Sequence, residues 1–142
     1  MLRKFYFIVA ILSISVAISC EKKVVEVRYA PVLFDLIAPD SLEKGSLDSS
    51  YIAIGAFDPD GLDDIDSVYY MVTRPDSTSN GIRFLMHDDG ANGDSTANDG
   101  CYTYIIPSPL PTSQSGDYTF TFYAYDKQGN RSNTPSQIIT AY

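Results

Sequence analysis

From Pro31 onward, apolar and polar positions alternate in short runs, and clusters of turn-forming residues separate the runs. Ile52, Ile54 and Ala56 fall on one parity, as do Val68, Tyr70 and Val72. So do Tyr118, Phe120, Phe122 and Ala124, with Thr119 and Thr121 between them. A period of two places alternate side chains on opposite faces of a strand, so each run predicts a strand with one wet face. Seven such strands are expected, at residues 32–37, 51–57, 65–73, 81–86, 101–106, 118–125 and 137–141. Between them lie Pro39-Asp40-Ser41, Asp58-Pro59-Asp60-Gly61, 75–80, 88–100, 107–116 and Lys127-Gln128-Gly129-Asn130. These are residues that accept positive φ or fix φ without donating a hydrogen bond. Asn80-Gly81 and Gly129-Asn130 read as hairpin turns. No window of a dozen residues in this part carries a helical apolar stripe free of Gly or Pro, so the expected fold class is all-β. About 110 residues suffice for one antiparallel sandwich at 31–142.

The first residues obey a different pattern. Met1 to Lys4 is basic, and residues 5–18 are apolar apart from Ser13 and Ser15. A bilayer span needs ~20 apolar residues in helix, so the run is short for a span and suits a secretory leader at 1–19. Val16-Ala17-Ile18-Ser19-Cys20 resembles a bacterial lipobox, which implies lipidation of Cys20 as the first mature residue. Ala17 and Ile18 depart from the commonest residues of that pattern, and ordinary cleavage after Ser19 is the alternative. Residues 20–30, charged and loosely patterned, read as a tether carrying the domain off a membrane surface.

Composition narrows the function classes. Eighteen acidic against ten basic side chains give −8. Loss of Arg3 and Lys4 with a leader would leave eighteen against eight, a net of −10. Such a chain repels a phosphate backbone, which argues against nucleic acid as a partner. One His, two Cys and no Trp leave few parts for metalloenzyme or thiol chemistry. With Cys20 lipidated, Cys101 is an unpaired thiol, expected to be a buried structural residue in an apolar strand.

The acidic side chains are concentrated. Asp58, Asp60, Asp63, Asp64 and Asp66 fall in one stretch, and Asp88, Asp89, Asp94 and Asp99 in another, with no Lys or Arg inside either. Two carboxylates ~4 Å apart repel by ~4 kcal/mol at an effective dielectric near 20. A compact acidic loop must therefore splay its charges into water or take up a cation, and hard oxygen donors suit Ca²⁺. Asp88, Asp89, Asn92, Asp94 and Asp99 are the main candidate ligands. Asp58, Asp60 and Asp63 are a weaker set, because a Pro-Asp-Gly turn needs no metal. The stretch from Asp88 to Gly100 does not fit the EF-hand loop, and solvated turn residues are the alternative in both.

Gly116-Asp117-Tyr118, with Phe120 two residues on, resembles the tyrosine corner of immunoglobulin-like sandwiches. Phe120 stands where antibody domains hold a Cys, so packing must replace the disulfide. Several motifs are similar to bacterial Ig-like/fibronectin-III-like modules of secreted and lipid-anchored proteins. They are Ala56-Phe57-Asp58-Pro59-Asp60-Gly61, Asp88-Asp89-Gly90, Gly93-Asp94, Asp99-Gly100-Cys101-Tyr102-Thr103 and 124–132. The stretch from Asp88 to Thr103 is also similar to one in the β-sandwich region of calcium-activated chloride channel regulators. The resemblance implies an adhesion, docking or spacer unit.

The expected function is thus a non-enzymatic, lipid-anchored module of the cell envelope, at an outer membrane or cell surface, that binds a protein or a glycan. A structural spacer or subunit of a larger envelope assembly is the alternative. An enzyme is disfavoured, since no nucleophile elbow, zinc-protease motif or phosphate loop is present.

Overall fold

The computed structural model describes residues 27–110 and 114–142. The leader at 1–19 and Cys20 lie outside the described residues, as does most of the tether. The strands are β1 (Val32–Ile37), β2 (Ser41–Leu42), β3 (Ser50–Phe57), β4 (Ile65–Thr73), β5 (Phe84–Leu85), β6 (Cys101–Ile106), β7 (Gly116–Asp126) and β8 (Ser136–Ala141). They form two sheets, one in the order β1-β3-β6 and the other β2-β8-β7-β4-β5. Every pairing is antiparallel except β2 with β8. The chain changes sheet after β1, β2, β3, β5 and β6, which makes it a sandwich of immunoglobulin-like form. Among the described residues no helix is long and apolar enough to cross a membrane.

The alternating residues meet between the sheets. Ile52, Ile54 and Ala56 face Val68, Phe122, Ala124 and Ile139 in one buried cluster. Tyr70 centres its aromatic part, 4.9 Å from Phe84, 5.1 Å edge-on from Tyr104, 5.3 Å from Phe120 and 5.7 Å from Phe122. These rings do the packing that a disulfide and a Trp do in antibody domains. Tyr118 closes the corner as expected, its hydroxyl donating to the Gln114 carbonyl at 2.9 Å.

Two expectations about strands need correction. The strand expected at 81–86 shrinks to Phe84–Leu85, flanked by single bridges Thr73–Ser79 and His87–Thr103. The turn after β4 closes earlier than Asn80-Gly81, through Arg74 N–H to Thr78 O at 2.8 Å and Ser77 N–H to Arg74 O at 2.9 Å. Ser41, read as part of a turn, instead opens the short parallel strand on β8.

The strand directions gather the acidic stretches at one pole. Val32 pairs with Phe57, Gly55 with Cys101, and Ile65 with Asp126. The entry to β1, the β3–β4 and β5–β6 connections and the β7–β8 turn therefore share one end of the sandwich. The Tyr29 N–H donates to Asp60 Oδ2 at 2.9 Å and ties the entering chain to that pole.

Candidate functional site

The acidic pole is built by two connections of different character. In the first, Gly61 N–H donates to Asp58 O and Asp64 N–H to Gly61 O, both at 3.0 Å, leading into a 3₁₀ turn at Leu62–Asp64. This folding brings carboxylate oxygens of Asp58, Asp60 and Asp64 within 4.8 Å of one another. Asp63, expected among the ligands, is exposed and outside the group, and Asp64 takes its place. Asp58 is only 1% exposed, which its sequence setting in a Pro-Asp-Gly turn did not signal.

In the second connection, oxygens of Asp88, Asp94 and Asp99 come within 4.8 Å of one another. Asp89 is not in this group. The loop's own backbone takes up these carboxylates. Asp88 accepts from Asp99 N–H (3.2 Å) and Gly100 N–H (2.8 Å), and Asp94 from Gly90 N–H (2.7 Å) and Thr96 N–H (3.0 Å). Asp99 accepts from Cys101 N–H, and Asp89 from Ala91 N–H. The Thr96 and Gly90 donors hold the Asp94 carboxyl below its usual range.

The second loop also lies on the outer face of the three-stranded sheet. Asn92 O accepts the Thr103 hydroxyl at 3.1 Å, and Gly93 rests on the Tyr51 ring. Ala53 and Thr103, cross-strand partners on that outward face, are consequently buried at 6% and 1% exposure. The part of the face left uncovered is apolar. Val32, Phe34, Tyr51, Phe57 and Ile105 are each 42% to 54% exposed. Val32 pairs with Phe57, Tyr51 with Ile105, and the Phe34 ring lies over Gly55, which has no Cβ to obstruct it. Alternation revealed the inward residues, and the same alternation could have flagged this outward set.

The outer face of the other sheet differs. Tyr69 stacks between Tyr123 (5.3 Å) and Tyr125 (6.2 Å), with the Arg83 guanidinium 4.8 Å from its ring centre. The three rings present their flat sides to each other, so a sugar ring finds few open faces to stack on. Burial raises the Tyr69 hydroxyl's pKa, with Arg83 opposing.

At the opposite pole a cleft of about 180 Å³ opens between the sheets, lined by Tyr70, Phe84, Tyr104, Leu110, Phe120 and neighbours. Among the described residues, Arg74 and tyrosines are its ionisable groups, and no carboxylate, His or thiol lines it. His87 is exposed, its backbone paired with Thr103 in both directions.

Cys101 corrects an expectation in part. It is half-buried, not buried, because it opens β6 at the loop end opposite Gly55. Its thiol is nonetheless pushed up in pKa, first by burial and then by the charges of Asp99, Asp94 and Asp88. Thiolate is the reactive form. Alkylation of the folded protein near pH 8 is therefore expected to be several-fold slower than in denaturant, and Asp99→Asn to speed it. Equal rates in folded and unfolded protein would contradict this electrostatic protection.

Beside the first connection, Asp126 is buried and caps the β7–β8 turn. Burial opposes its ionisation, but Asn130 Nδ2 (2.7 Å), Asn130 N–H (2.7 Å), Gln128 N–H (2.9 Å) and the Gly129 N–H outweigh it and hold the pKa low. A depressed folded pKa contributes stability above the unfolded carboxylate value of ~4, lost as pH falls through the folded one. Asp126→Asn is accordingly expected to flatten the acid limb of a stability–pH curve. An unchanged limb would remove Asp126 from the acid response.

The sequence matches the bacterial Ig-like domain family over residues 20–141. Among curated proteins no significant match is found. Solved structures that are similar at low identity include the following. Fibronectin(III)-like modules of Clostridium thermocellum CbhA share 21% identity at a TM-score of 0.49, over 82% of this chain and 48% of that one. A PKD domain of a peptidase from a Thermoplasmatales archaeon shares 13% at 0.46, over 81% and 98%. The Escherichia coli fimbrial subunit AggA shares 11% at 0.41, over 82% and 98%. The chain thus spans about half the length of the first.

Proposed function

The chain belongs to the bacterial Ig-like domain family, and on that premise we propose that it is a non-enzymatic, lipid-anchored module of the cell envelope that binds a protein partner. The observation that carries this reading is the uncovered apolar face of the three-stranded sheet: Val32, Phe34, Tyr51, Phe57 and Ile105. Exposed apolar side chains gathered on one sheet face mark interaction sites in soluble domains. Phe and Tyr contribute large rigid area at small entropic cost, which suits a protein contact. The rim is acidic where Tyr51 lies under the second acidic loop. The matching partner has an apolar centre and a basic rim, and its association weakens as salt rises. A protein is favoured over a glycan because the tyrosines of the opposite sheet spend their ring faces on one another.

The anchor is Cys20. The basic start, the short apolar run and Val16-Ala17-Ile18-Ser19 before it support this reading. Acyl chains, at ~0.8 kcal/mol per buried CH₂, would hold the protein on a membrane surface. Because β1 enters at the acidic pole, that pole faces the membrane. From Cys20 to the tie at Tyr29 the tether reaches up to ~30 Å, well beyond the ~8 Å Debye length, which lets the acidic pole clear an anionic surface.

Metabolic labelling with a fatty-acid analogue tests the anchor: label and membrane partition are expected in wild type and absent in Cys20→Ala. Label retained by Cys20→Ala would contradict it. For the face, Phe57→Ser is expected to lose the partner recovered by chemical crosslinking in the envelope while unfolding near the wild-type midpoint. Unchanged recovery would move the contact elsewhere.

A further inference from the structure

We propose that Asp58, Asp60 and Asp64 form a divalent-cation site whose occupant is Ca²⁺. Each of the three carboxylates is oriented by a donor on one oxygen. Asp58 Oδ1 accepts the Asp60 N–H at 2.8 Å, Asp60 Oδ2 the Tyr29 N–H at 2.9 Å, and Asp64 Oδ1 the Gln128 Nε2 at 3.0 Å. The second oxygens of Asp58 and Asp64 are buried and have no hydrogen-bond partner. Asp58 is 1% exposed, so water cannot solvate its free oxygen as it would on an open turn. An unpaired carboxylate oxygen in the interior is strongly disfavoured, and two in one group repel besides. A cation removes both penalties at once.

The group's dimensions fit the ion. Ca²⁺ binds oxygens at ~2.3–2.6 Å in flexible geometry, so ligands stand up to ~4.6–5.2 Å apart, whereas Mg²⁺ demands a near-ideal octahedron and keeps several waters. The three oxygens lie within 4.8 Å of one another. An all-oxygen donor set disfavours transition metals, and water completes the shell on the exposed side of Asp60. The second loop differs in kind. Both oxygens of Asp88 and of Asp94 already accept loop N–H groups. The ion would join the entering chain at Tyr29, the β3–β4 connection and, through Gln128, the β7–β8 turn.

The test is titration calorimetry of the full chain in detergent with calcium chloride, paired with thermal unfolding in EDTA and in millimolar Ca²⁺. Wild type is expected to bind with a dissociation constant of ~10⁻⁴–10⁻³ M and to gain a few degrees in Tm. Asp64→Asn is expected to weaken binding at least tenfold. Its amide could donate to the free Asp58 oxygen, so in EDTA it should melt above wild type, and in Ca²⁺ below it. This inversion separates an ion ligand from a merely structural carboxylate. Asp94→Asn is expected to bind as wild type does. No heat of binding in wild type, wild-type affinity in Asp64→Asn, or loss of the site in Asp94→Asn would each overturn the proposal.

Discussion

Phe122→Ala is expected to destabilise the domain by about 4 kcal/mol, within the range for a large aromatic removed from a packed core. Phe122 is fully buried, its ring 5.7 Å from Tyr70 and surrounded by the apolar cluster between the sheets. Its strand is held on both edges, by β4 and by β8, so the backbone has little freedom to collapse into the void. A domain of this size has a total stability of ~5–15 kcal/mol, and 4 kcal/mol corresponds to a fall in Tm of roughly 15–20 °C. Urea unfolding measures it, with the midpoint falling and the slope unchanged. Thr121→Ala, one residue away on the wet face, should change stability by no more than about 1 kcal/mol. A Phe122→Ala loss below about 1.5 kcal/mol would mean that the core is loosely packed.

The second large effect is expected at Gly100, where the acidic loop rejoins the sandwich. Its φ is +86°, and a Cβ there would stand 2.8 Å from the Ala56 carbonyl oxygen and 3.2 Å from Leu62 Cδ2. The obstructing oxygen is backbone in the central strand of its sheet, so it cannot swing aside. Gly100 also donates to Asp88 and accepts from Ala56 N–H at 2.8 Å. Gly100→Ala therefore combines about 1–2 kcal/mol of left-handed strain with a steric clash, for an expected 2–4 kcal/mol. Gly129 has nearly the same φ, +88°, with nothing within 4 Å of its virtual Cβ. Gly129→Ala should lose only about 1 kcal/mol. The difference between the two variants isolates the clash. Equal losses would show that the loop gives way without resistance.

What could be read from the chain divides along the range of the interactions involved. Ile52, Ile54 and Phe122 announce themselves by parity, because strand geometry makes the inward set local information. Tyr118 was legible for the same reason, since its hydroxyl reaches a carbonyl four residues back. Ala53 and Thr103 were not. Parity puts them outside, and they are buried only because a loop forty residues from Ala53 folds over them. Strand 81–86 read too long because its pairing register on β4 slips by two residues between Tyr70–Phe84 and Thr73–Ser79, which composition does not encode. Asp58 is the clearest case. A Pro-Asp-Gly turn predicts a solvated acid, while the approach of Tyr29 and Gln128 from distant segments closes the surface around this connection. The acidic side chains were legible as clusters; which oxygens remain unsatisfied was not.

The central claim is that the uncovered face of the three-stranded sheet holds a protein partner in the envelope. The most direct measurement is a photoreactive amino acid placed at position 57 or at position 123, irradiated in intact cells, with adducts identified by mass spectrometry. Position 57 is expected to yield a discrete protein adduct that weakens as external salt is raised, and position 123 none. Adducts from position 123 alone, or none from position 57 while the protein is folded and membrane-bound, would contradict the claim.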